Sequence, residues 1–250
     1  MIGVIAKHEA LRLLRSAQTW IIAALLAALF GFLFLKQLES FLDLQTTLAT
    51  QDHPVGLSGF MSVRYLEPLA LVFTVIAPLF AMRGFSDEYR HQTFALWQSS
   101  PVSTSALVVG KFLGILSVLL LLVLTAVAML FMMQFFVTID MKLLFSATLG
   151  LSLCTAGSAA CGLYFSALTR QSLIAIIASL ALLLLSWMLG SANFSSLPLQ
   201  SLADLSLASH LRGFFQGYVQ ASDIAFFALM ISLFLGLGII KLDSLRQTGN

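Results

Sequence analysis

Long apolar runs alternate with short polar breaks along this chain. A helix needs about 20 mostly apolar residues to cross a hydrocarbon core. Six runs qualify, near 20–36, 66–83, 107–136, 143–168, 172–190 and 224–242. The third is long enough to tilt or to extend past the bilayer. Ahead of them, Ile2, Ala6, Ala10, Leu13 and Ala17 recur at helical spacing, with His8, Arg12 and Arg15 on another face. That pattern predicts an amphipathic helix suited to the headgroup region, not a cleaved signal peptide.

Two breaks on one side are long. Residues 37–65 carry Pro54, Gly56 and Gly59 and read as a loop with room for one short helix. In 191–223, Leu207, Leu211, Phe214 and Tyr218 recur at spacings of four, three and four, with His210, Gly213 and Gly217 on another face. This predicts a short amphipathic helix that lies at the interface or dips into the membrane, where it must be buried in protein or line a cavity.

Composition agrees with a membrane-embedded, all-α fold. Hydrophobic residues make up 59% and charged residues 10%, against about 25% charged in soluble domains. Mean hydropathy is +0.98. Lysine and arginine set the orientation. With a cytoplasmic N-terminus, nine of the 13 fall inside and four outside. Seven of the 11 acids fall outside. The expected topology is six spans with both termini cytoplasmic, forming one transmembrane domain over residues 1–250.

Several chemistries lack their residues. The span interiors read as nearly charge-free, with Glu67 and Lys111 at span edges, which argues against a proton relay or a stand-alone channel. "VVGKF" at 108–112 lacks the earlier glycine and the following Ser or Thr of a phosphate-binding loop, so ATP is not bound by this chain. The four histidines sit in four polar segments and point to no metal site. Met129, Met132, Met133, Cys154 and Cys161 read as packing residues. The fourth span carries two small-residue stripes, Ser152, Ala156, Ala160 and Ser158, Gly162, Ser166. They allow close helix approach, at the centre of the bundle or between subunits.

One polar island remains, "GFSDEYRHQTFALWQSSPVSTSALVVGK" at 84–111. Ser86 is placed to cap a helix with Asp87 and Glu88 in its first turn. Tyr89, Thr93, Leu96 and Trp97 form a partly apolar stripe, and Pro101 breaks it. Ser103 to Ser105 then cap the third span. A short helix with an apolar stripe and charged flanks suits docking into a partner's groove.

The layout and "DEYRHQTFALWQSSPVS" resemble permeases of the ABC-2 exporter class. Glu88, Arg90, Thr93, Ser100, Pro101 and Ser103 match the family's loop, and Gln92 stands where glycine is usual. Near the C-terminus, His210, Phe214, Gly217 and Asp223 resemble the gliding-associated, GldF-like branch, with Leu211 where that branch has an aromatic. The resemblance implies a permease subunit in a bacterial inner membrane. Two copies would pair as a homodimer with two cytoplasmic P-loop ATPase chains, which hold the ATP and magnesium. This chain would bind no cofactor and no nucleic acid. Asp87, Glu88, Arg90, Thr93, Leu96, Trp97 and Pro101 would couple it to the ATPase. His210, Phe214, Gly217 and Asp223 would shape a re-entrant outer segment. The alternative implied by the branch is mechanical: driving an outer-side auxiliary membrane protein without moving a substrate.

Overall fold

A computed structural model describes residues 1–49, 56–90, 103–135, 137, 140–191 and 205–248. Every regular element among them is helical. Helix α1 is Ile2–Leu14, α2 Ala17–Ala49, α3 Leu57–Met61, α4 Glu67–Ala81 and α5 Arg83–Arg90. A π-helical turn, Ser62–Leu66, joins α3 to α4. Then come α6 Thr104–Met132, α7 Met141–Leu168, α8 Ser172–Ser191, α9 Leu207–Phe215 and α10 Ala221–Thr248. Six stretches are long and apolar enough to span a membrane: Ala17–Leu44, Leu57–Ser86, Thr104–Phe135, Met141–Leu168, Ser172–Gly190 and Ala221–Gln247. Helices satisfy their own backbone, which lipid cannot do.

The six expected spans are present, with shifted ends. The largest difference is α2, which runs on to Ala49 where the sequence pattern suggested a loop from residue 37. Lys36, Glu39 and Asp43 break the apolar run, yet Phe34, Leu38 and Phe41 keep helical spacing and pack on the core. The Phe41 ring lies 5.4 Å from the Phe60 ring. Periodicity, not uniform hydropathy, carries the helix past its charges. The C-terminal tail is likewise helical, with Leu242 buried.

Helix α7 is the centre of the bundle. A Cβ added to Gly150 would lie 2.6 Å from Phe214 of α9. One on Gly157 would lie 3.1 Å from Met230 of α10, and one on Gly162 2.7 Å from Pro78 of α4. Gly150 and Gly157, seven residues apart on one face, admit α9 and α10, and Gly162 opens a second face to α4. Ala156, Ser158, Ala160, Gly162 and Ser166 are buried within the chain. Ser152 is half-buried and donates to the Thr148 carbonyl. These stripes build the bundle interior. Cys154 is buried there too, its Sγ 3.4 Å from Thr74 Oγ1.

Candidate functional site

At one end of the bundle α1 lies across the start of α6. Gly110 and Gly114 make this crossing close. A Cβ on Gly110 would sit 2.8 Å from Ile5 Cβ, and one on Gly114 2.7 Å from both the Ala6 carbonyl and Glu9 Cβ. The spacing of four puts both glycines on one helix face, as in close-packed membrane helix pairs. So α1 docks on protein and is not solely a headgroup helix. Its packed face carries one charge, Glu9, which is 5% exposed.

Between the two glycines stands Lys111, only 2% exposed. Its ammonium donates to Glu88 Oε1 at 2.6 Å and to the Gly84 carbonyl at 2.6 Å. It lies 3.9 Å from Glu9 Oε2 and 5.0 Å from the centre of the Phe85 ring. Arg12 closes the cluster, 3.3 Å from Glu9 Oε1. Two carboxylates and two cations therefore form a formally neutral quartet joining α1, α5 and α6. Taking charges out of water costs several kcal/mol per ion, and good pairing must offset it. Burial pushes the Glu88 carboxyl above the usual carboxylate range, and the Lys111 ammonium opposes that rise. Sequence pattern placed Lys111 at a span edge and left Glu9 unmarked. A lysine one position after Gly110, on the face that meets α1, is the signal that could have found the pair.

Glu88 is thus turned inward. Its side chain is 12% exposed and faces Lys111. Ser86 also departs from expectation. Helix α5 begins at Arg83, and Ser86 is an interior residue rather than a cap. Its hydroxyl donates to the Thr169 carbonyl at 3.0 Å. Ser166 of α7 ties the same turn: its Oγ accepts from the amides of Phe85 and Ser86 at 2.9 and 3.1 Å and donates to the Met82 carbonyl at 2.7 Å. Helix α5 is therefore fixed to α6 through a charge pair and to α7 through a serine knot. Tyr89, Thr169, Arg170, Lys241 and Leu245 line a crevice of about 130 Å³, which brings the C-terminal turns of α10 to this end.

The backbones of Asp87 and Arg90 lie in α5, while their side chains, and all of Thr93, Leu96, Trp97 and Pro101, lie outside the described residues. The connection resumes at Ser103, which caps α6 by accepting from the Ala106 amide at 3.3 Å.

At the far end, α9 buries Leu207, Leu211 and Phe214 against the bundle. The serines of two other helices hold its last turn. Ser146 donates to the Phe214 carbonyl at 2.9 Å, and Ser62 to the Phe215 carbonyl at 2.7 Å. Tyr218 does not continue the stripe. The helix ends before it, and Tyr218 is 68% exposed. Gly217 causes the stop with a left-handed φ of +87°. Its amide bonds to the Phe214 carbonyl, and the Tyr218 amide to the Gly213 carbonyl, the paired bonds of a Schellman cap. His210 Nδ1 lies 2.7 Å from Asp223 Oδ1, and its ring stacks on Phe226 at 4.1 Å. His210, Phe214, Gly217 and Asp223 are thereby brought together as the link between α9, α7 and α10.

No curated protein matches the chain. A family model described as ABC-2 family transporter protein matches residues 3–243, so the chain belongs to the ABC-2 family of membrane transporter proteins.

Proposed function

We propose that this chain is the permease subunit of an ATP-driven exporter in a bacterial inner membrane. The ATP and magnesium would be held by a separate cytoplasmic ATPase, and two copies of this chain would form the membrane part. The observation that carries this reading is the neutral quartet Glu9, Arg12, Glu88 and Lys111. It joins α1, α5 and α6 at the end where the 91–102 connection leaves and re-enters.

A push on that connection acts on α5 and α6 together. Lys111 passes it to α1, and Ser166 passes it to α7. Helix α7 also holds α9 through Gly150 and Ser146, so a shift at one end reaches the other through a packed, rigid element. Asp87, Arg90, Thr93, Leu96, Trp97 and Pro101 provide the docking surface in this reading. Glu88 acts behind it as a transmitter. No observation on the far side favours the mechanical alternative.

The test uses the assembled complex with Glu88→Gln. Coupling is read as hydrolysis by the complex relative to the ATPase chain alone. The variant keeps the ATPase bound and loses most of the permease-dependent change in hydrolysis. Unchanged coupling in a folded variant rejects the quartet as the transmitter.

A further inference from the structure

Beside the quartet, α1, the start of α2 and the end of α4 enclose an open cleft of about 360 Å³. Two cations, Arg12 and Arg83, and one carboxylate, Glu9, line it. Arg83 is exposed and donates to Gln18, which lines the same cleft. Ile21, Ile22, Leu79 and Phe80 give the lining its apolar part. The level of the cleft is marked by Trp20, 62% exposed, whose indole nitrogen donates to the Leu14 carbonyl at 2.7 Å. Exposed tryptophans on spanning helices favour the headgroup layer. A cavity lined by two arginines and by alkyl side chains suits a phosphate joined to acyl chains. Guanidinium groups bind phosphate oxygens through charge-assisted, bidentate bonds.

We infer that this cleft binds the phosphate headgroup of an anionic membrane lipid. Arg12 and Arg83 hold the phosphate, and the first acyl carbons lie along Ile22, Leu79 and Phe80. The bound lipid stands against Glu9 and Arg12 and so steadies α1 on the bundle. The inference is independent of the transport reading, because binding is measured on the chain alone.

The test is native mass spectrometry of the purified full chain in non-ionic detergent. Phosphatidylglycerol and phosphatidylcholine of matched acyl length are the probes, with glycerol 3-phosphate as the soluble competitor. The wild-type chain retains phosphatidylglycerol about tenfold better than phosphatidylcholine. Arg83→Gln removes that preference. Ile22→Trp leaves both arginines and fills the apolar part of the lining, and it also removes retention. Arg212→Gln, near the far end where Arg212 donates to the Gly190 carbonyl, keeps the preference. If Arg83→Gln fails to fold, Ile22→Trp decides. Wild-type retention in both cleft variants, or equal retention of the two lipids, overturns the proposal. Displacement by glycerol 3-phosphate at concentrations equal to the lipid overturns the lipid assignment in favour of a soluble phosphate.

Discussion

Lys111 on α6 is held by partners from two other helices, α1 and α5, and its substitution is correspondingly costly. Lys111→Met leaves Glu9 and Glu88 buried with Arg12 as the remaining cation of the quartet. Breaking a buried pair by removing one partner costs about 3–5 kcal/mol. Thermal unfolding in detergent should show a loss of that size, and a loss below about 1 kcal/mol would contradict the pairing. Glu88 gives a pH signature. Burial raises its carboxyl in the folded protein, so folding favours the protonated form. Its contribution is most favourable below the usual carboxylate range and declines as pH rises through the raised folded value. Glu88→Gln removes this decline. Unfolding temperatures across acid to neutral pH should therefore slope more steeply downward in the wild type than in the variant, and parallel curves would refute the shift. Residues at this scale were the least legible in the sequence. Hydropathy reads Lys111 as a charge at a span edge, because a partner 23 positions away, Glu88, and another on α1 leave no local trace.

Among the elements, α1 shows what periodicity tells and what it omits. The apolar spacing of Ile2, Ala6, Ala10 and Leu13 revealed a helix, but not which surface it covers. Gly110 and Gly114 supply that surface, and glycine spacing alone does not name its partner. Gly114→Leu would drive a side chain into the Ala6 carbonyl and Glu9. Overpacking of this kind costs about 1–3 kcal/mol. Protease cleavage within α1 should accelerate as the helix lifts, whereas Gly31→Ala, with nothing within 4 Å of its new Cβ, should leave cleavage unchanged. Equal cleavage of Gly114→Leu and wild type would exclude the close α1–α6 contact. The α2 extension has a different lesson. Three charged residues hid a helical stripe that tertiary packing of Phe34, Leu38 and Phe41 makes continuous. By contrast the stop at Gly217 rests on local chemistry, a left-handed residue closing a helix.

For the whole molecule, six spans were legible because lipid imposes length and apolarity on every crossing segment. The central place of α7 needed coordinates, since small residues serve a bundle centre and a subunit interface equally well. The arrangement has two ends, with α7 at the centre of the spans that run between them. One end gathers α1, α5, the α7–α8 turn and the end of α10 around the quartet and the serine knot. The other holds α9 by Ser62, Ser146 and the His210–Asp223 pair. An ATP-driven permease needs such a path, with force entering at one face and the opposite face responding. The most direct measurement is purification of the tagged chain from its native membrane in mild detergent, followed by identification of retained proteins and assay of ATP hydrolysis. The reading predicts a P-loop ATPase in equal number to this chain, with hydrolysis that Glu88→Gln alters while the ATPase stays bound. Recovery of this chain with no ATPase, under conditions that keep it folded, would contradict it.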